Sequence, residues 1–208
     1  MKTNVYVDAF NLYYGSMKGE QGKKWLDLRA WLELLFPSNE IQKIRYFTAL
    51  VDARSNDPGQ PVRQQTYIRA IKTLAGVSVH YGNYQSRPTR MRLANPPAGG
   101  PNTVEVIKTE EKGSDVNLAS YLLLDAFRKD AAAAIVVSND ADLKMPVEMC
   151  INELGLRVGV VNPHPYNRRS RDLQPTFFKQ ARPGPIRASQ FAAVLADSQG
   201  DIRKPSDW

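Results

Sequence analysis

Residues 134–142 read Ala134-Ile135-Val136-Val137-Ser138-Asn139-Asp140-Ala141-Asp142. An apolar run over 133–137 that ends in small polar residues predicts a central parallel strand covered on both faces. In open α/β sheets, ligands bind in the crevice beyond the carboxyl ends of such strands, which is where Asp140 and Asp142 fall. The N-terminus repeats the figure: Val5-Tyr6-Val7 is a short strand, Asp8 follows at its end, and Asn11 lies three residues on. Carboxylates converging on one crevice repel one another, so a chain that keeps several usually sets a cation between them.

Upstream, Lys112-Gly113-Ser114-Asp115 opens a helical pattern over 115–129. Val116, Leu118, Ala119, Leu122, Leu123, Ala126 and Phe127 occupy most of its circumference, so the helix is expected to be well buried. Asp115 falls in its first turn, where a carboxylate complements the helix dipole whether or not it has another use. Ser114 could cap the same turn.

The chain has 208 residues, enough for one full core plus a tail, and 42% of them are hydrophobic. No apolar run approaches the length of a membrane span, so a soluble protein is expected, with no membrane partner. The first strand follows Met1 too closely to leave room for a signal peptide. Cys150 stands alone within an apolar helical pattern, which suits a core position in the reducing cytoplasm. Net charge is +7 with a pI near 9.5. A basic chain with acids gathered at strand ends suggests a metal-dependent enzyme acting on nucleic acid, the metal supplying positive charge at the reacting phosphate.

Asp27 is an N-cap candidate for a helix over 28–36, a second strand lies within 41–51, and Pro61 suits the first turn of a helix that Gly76 stops. Residues 13–24 are expected as a Gly- and Lys-rich loop. Asp52, in the polar turn after the second strand, reads as a turn residue. His80 sits on an alternating strand without an orienting partner, which favours a structural role. Residues 87–93 and 104–109 are expected as two extended arms around a Pro/Gly-rich loop. The first carries Arg87, Arg90 and Arg92 close to Tyr81 and Tyr84, and cations beside stackable rings suit single-stranded nucleic acid. The counter-explanation is a sheet edge guarded by charge. A helix starting at Asp142 and a buried strand over 156–161 complete the repeating units.

These units predict a single α/β domain over residues 1–162, with a central, mostly parallel sheet flanked by helices and a basic extended arm. Residues 163–208 form a C-terminal extension packing on or near it. Within the extension, His164 and Arg168, Arg169 and Arg171 precede Phe177-Phe178, as a substrate-contacting flap or a clamp on the core. A helix is expected over 185–196 and a frayed end over 197–208.

Three segments, Val7-Asp8-Ala9-Phe10-Asn11-Leu12, then 111–119 from Glu111 to Ala119, then Ser138-Asn139-Asp140-Ala141-Asp142, resemble in order and spacing the NYN domains of the PIN-like ribonuclease superfamily. The resemblance implies a PIN-like, Rossmannoid fold and hydrolysis of RNA, preferably single-stranded, with Mg or Mn held by Asp8, Asp115, Asp140 and Asp142. It also implies that Asn11 and Ser138 are polar supports at the catalytic centre and that Lys112 balances charge or touches a phosphate. RNA is the expected partner, with a second copy of the chain a further candidate. A dehalogenase-type phosphatase would carry a second Asp where this chain has Phe10, and a dinucleotide enzyme would show a Gly-rich turn after the first strand. The remaining alternative is a catalytically silent RNA-binding or scaffolding protein on the same fold.

Overall fold

A computed structural model describes all residues 1–208. Strand β1 (Lys2–Asp8) runs through the middle of a seven-stranded sheet, parallel to β2 (Glu40–Ala49) on one side and β5 (Ala133–Val137) on the other. With β3 (Val77–Arg92), β4 (Thr103–Lys112), β6 (Arg157–Asn162) and β7 (Phe177–Gln180), the order is β4-β3-β2-β1-β5-β6-β7. Only β4 is antiparallel to its neighbour. Parallel neighbours require crossovers, which are supplied by α2 (Leu28–Leu35), α3 (Gln60–Lys72), α4 (Ser114–Phe127) and α5 (Lys144–Asn152), after the short α1 (Ala9–Leu12).

Alternation along the central strands divides the interior in two. Val5, Val7, Ile135 and Val137 face a core completed by Trp25, Trp31, Leu32 and Ile71, on the side of α2 and α3. Tyr6, Ala134 and Val136 face the opposite core with Leu118, Leu122, Val147 and Cys150, on the side of α4 and α5. The Cys150 thiol is buried there, and burial pushes it up to about 11. On this second side a polar group is also buried. Asp125 accepts from the Tyr6 hydroxyl at 2.8 Å and from Arg45 Nε and Nη2 at 2.7 and 3.0 Å, while the Arg45 guanidinium lies 4.5 Å from the Tyr121 ring centre.

Several expectations are corrected. Helix α4 is not buried all round: Val116 and Phe127 are 69% and 74% exposed, because the helix lays only the Leu118–Leu122–Ala126 stripe on the sheet. Residues 13–17 are no loop but a π-helical turn, Tyr13–Met17, continuing α1. The predicted helix over 185–196 is shorter, α6 (Pro183–Ala188), and is followed by a hairpin of β8 (Val194–Asp197) and β9 (Gly200–Arg203) where a frayed end was expected. Gly200, at φ +106°, permits the turn, and Ile202 reaches the core from β9. Trp208 closes the chain with its ring 6.2 Å from Trp25 and 6.0 Å from Tyr67. Phe177 and Phe178 lie on a seventh strand, one packed on each core, so they clamp the sheet edge. Gly159 allows this, because a Cβ there would run into the Phe177 ring.

No helix is long and apolar enough to cross a membrane. The Asp125→Ala variant leaves the Arg45 charge and the Tyr6 hydroxyl without their buried partner. A loss of about 3 to 5 kcal/mol is expected in urea unfolding; a loss below about 1 kcal/mol would mean that water takes over the role of Asp125.

Candidate functional site

The central strands end at one rim, and the polar residues just beyond them are tied to each other. Asp8, buried at the end of β1, caps α1 by accepting the Asn11 backbone N–H on Oδ1 at 2.9 Å. Its Oδ2 accepts the Ser138 hydroxyl at 2.9 Å, across from the end of β5. The Asn11 side chain makes the return link, its Oδ1 accepting the Asn139 N–H at 2.9 Å. Ser138 Oγ also accepts the Asp140 N–H at 3.1 Å, and Asp140 Oδ1 accepts the Asp142 N–H at 3.0 Å, capping a 3-10 turn. Asp8, Asn11, Ser138, Asp140 and Asp142 are thus brought together by hydrogen bonds that also start the next elements.

Asp115 joins from a third direction, in the first turn of α4. Gly113, at φ +98°, turns the chain from β4 into that helix, and Glu111 caps it, accepting the Ser114 N–H at 3.1 Å and the Ser114 hydroxyl at 2.7 Å. Burial pushes the Asp8 carboxyl up to about 7; the bonds from Asn11 and Ser138 oppose the rise, and the charges of Asp115 and Asp140 add to it. Asp115 is pushed up to about 6 by burial and by Asp140, Glu111 and Asp142. The acids therefore share one field, although no three of them meet in a preassembled cage for an ion. The donors are all hard oxygens, and Mg²⁺ needs only one or two carboxylates beside water and phosphate, so the set suits that cation chemically. Burial and the neighbouring carboxylates both disfavour the ionised forms of Asp8 and Asp115, and a cation among the acids would offset both.

The expected nucleic-acid arm is an antiparallel hairpin. Strand β3 stays paired with β2 only as far as Gly82, and from Asn83 to Arg92 it pairs with β4 alone, reaching past the rim. Register separates its cations. Tyr84, Arg90 and Arg92 share a face with Glu111, whereas Arg87 and Lys112 lie on the other face with Lys108 and Glu110. The basic cluster expected from Arg87, Arg90 and Arg92 is therefore split by the two-residue period of the strand. Lys112 lies 3.7 Å from Glu110, turned away from Glu111. Tyr84 packs edge-on against Phe10 at 5.9 Å, and burial raises its hydroxyl to about 12. Asp52 lies exposed beyond β2. His80 is stacked on Phe47 at 5.0 Å and lies 4.2 Å from Tyr121, a packing role.

Two contributors escaped the sequence. Glu111 reads there as one of two adjacent strand glutamates, and only the cap shows its direction. Asn139 hides inside the acidic motif, yet it donates to the Arg168 carbonyl at 2.9 Å and accepts the Ser170 N–H at 2.7 Å, fastening the arginine-rich 166–171 segment beside the acids. A polar residue between acids gives no sign of such a partner.

The family model of the NYN domain matches residues 2–179. The 6-hydroxy-3-succinoylpyridine 3-monooxygenase HspA of Pseudomonas putida (strain DSM 28022 / S16) is 28% identical over 242 residues, covering 100% of this chain and 75% of that protein. The crystal structure of a protein of unknown function from Vibrio parahaemolyticus RIMD 2210633 aligns with a TM-score of 0.48 and 19% identity, covering 87% of this chain and 93% of that one.

A proton held more tightly in the folded than in the unfolded state stabilises at low pH and is lost on raising it. Asp8 and Asp115, raised from 3.8 to about 7 and about 6, should thus make metal-free stability fall between about pH 4 and pH 7. Asp8→Asn keeps an acceptor for Asn11 and can donate to Ser138. It should remove about 2 to 3 kcal/mol of the decline between pH 5 and pH 8, read from urea midpoints in EDTA. Parallel declines in variant and wild type would show that Asp8 titrates normally.

Proposed function

The chain belongs to the NYN domain family, and from that premise we propose that it is a metal-dependent ribonuclease hydrolysing phosphodiester bonds in single-stranded RNA. The observation that carries the proposal is the gathering of four acids at one rim: Asp8 is tied through Ser138 to Asp140 and on to Asp142, and the charges of Asp140 and Asp142 reach Asp115. That pattern is costly for a scaffold and useful to an enzyme that draws a cation to a phosphate. Asp8, Asp115, Asp140 and Asp142 are the residues that would hold Mg or Mn. When bound, such an ion polarises the phosphoryl oxygen and lowers the pKa of a coordinated water.

The chain's own residues supply position and exclusion. Asn11 and Ser138 fix both oxygens of Asp8, so the carboxylate need not reorganise when a phosphate arrives. Tyr84, beside Phe10, offers a ring near the acids, and Arg90 and Arg92 continue that face outward along the hairpin to meet the backbone of a strand. Lys112 and Arg87 would meet phosphates only from the other face. We take the reducing cytoplasm as the setting, in keeping with the lone buried Cys150.

A second reading comes from the Pseudomonas relative, whose name describes oxygenation of a hydroxysuccinoylpyridine and whose similarity spans this whole chain. On that reading the rim serves a small heteroaromatic substrate. RNA left intact under all metals would favour it, or else a silent RNA-binding module.

Labelled single-stranded RNA should be cut by the purified chain with Mn²⁺ or Mg²⁺ and left intact in EDTA; cleavage unaffected by EDTA, or absent with either metal, removes the proposal. Asp140→Asn keeps the oxygen that accepts from Asp142 while removing a charge. It should be inactive, no less stable in EDTA, and less stabilised by Mn²⁺ than wild type. An active variant with full metal stabilisation would take Asp140 out of the site. On the hairpin, Arg90→Ala should lower the salt slope of RNA binding by about 1, and Arg87→Ala by less. Equal effects from both faces would mean that the arm acts only by its total charge.

A further inference from the structure

Between α1, the π-helical turn that continues it, and α3 lies a cavity of about 130 Å³ that the acids do not use. Phe10, Tyr13, Tyr14, Tyr46, Tyr67 and Trp208 give it aromatic walls. An apolar cavity of about 150 Å³ stays dry and takes up one benzene ring, so the volume suits a single six-membered ring.

The polar groups of its wall differ in what they already hold. Gln64 is spent on the backbone, accepting the Val51 N–H at 3.0 Å and donating to the Ala49 carbonyl at 2.8 Å. Arg63 is paired with Asp57 and, at 3.3 Å, with Asp207. Gln60, in the first turn of α3, is different: its Oε1 is shielded from solvent and has no partner. No hydrogen bond holds this carboxamide, so it can turn its oxygen into the cavity toward an arriving donor at no cost in bonds. A carboxamide presents an acceptor and a donor side by side, the complement of an N–H next to a C=O on a lactam ring, and the match survives reversal of either partner.

We propose that this cavity binds one six-membered nitrogen heterocycle with an amide-type edge, the ring lying among the aromatic walls and the edge paired to Gln60. Two sources share that chemistry: a pyrimidine base of a bound RNA strand, and a free small heterocycle. The proposal stands on the cavity alone, whatever reaction the acids perform.

The test uses the full chain in EDTA, with uracil as probe and 1,3-dimethyluracil, which keeps the ring but lacks both N–H donors, as control. Uracil should bind with a Kd in the millimolar range or tighter and at least about tenfold better than the control, read by calorimetry or ligand-detected NMR. Gln60→Leu should abolish that preference, and Val51→Phe, which fills the cavity, should abolish binding of both; unchanged melting curves certify the folds. If the ring belongs to a strand, the trinucleotide of uridine displaces uracil and itself binds more weakly to Gln60→Leu. If the ligand is free, the trinucleotide does neither. Equal binding of the two probes, uracil binding indifferent to Gln60→Leu, or no uracil binding overturns the proposal. Because metal is absent throughout, none of these outcomes depends on RNA hydrolysis.

Discussion

The hydrogen bond from Ser138 to Asp8 joins the ends of the two central strands, and the rest of the rim is arranged by it. Both residues are buried, and a carboxylate in that position is tolerable only if its oxygens are satisfied. One oxygen starts α1 through Asn11 and the other is held by β5, so the crossing of the chain from strand to helix and the placing of the charge are one event. Helix-cap and site roles are often treated as competing accounts of an Asp. Here Asp8 and Asp140 each cap with one oxygen, and the capping bond fixes the direction of the other.

What the sequence made legible was set by local rules. Consecutive apolar residues at β5 and β1, the Asp27 cap and the Gly76 stop all specify backbone within a few residues, and those elements stand close to where they were expected. Asp8, Asp140 and Asp142 were legible as candidates because they follow such strands closely, whereas Asp115, in the first turn of α4, stood out only through the family resemblance. Where partners are distant, the pattern fell silent. The Phe177–Gln180 edge strand depends on Gly159 on a neighbouring strand, and the end of the chain is ordered around Trp25, far away in sequence.

The split of the arginines has the same origin. Arg87, Arg90 and Arg92 look like one cluster along the chain, but a strand alternates its faces, and positions an odd number apart point apart. Register with β4 then decides which face carries Tyr84 and Glu111. Of the three arginines only Arg90 and Arg92 lie on the face of Glu111, so charge counted along the hairpin overstates what a strand bound on that face would meet.

Helix α1 has four residues and two occupied sides. Asp8 and Asn11 hold it to the ends of β1 and β5, while Phe10, Leu12 and, just beyond, Tyr13 line the aromatic cavity. So short a helix has little stability of its own and keeps its place through what it touches. The π-helical turn at Tyr13–Met17 extends it, and Ser16, donating to the Pro163 carbonyl, anchors the far end. Neither side can shift without moving the other, because there is no intervening core to absorb the change. Charge placed among the acids and a ring placed in the cavity would therefore act on the same few residues, so α1 is an element through which the rim and the cavity can be coupled, as is the neighbouring β2, where Tyr46 lines the cavity and feels the Asp8 charge.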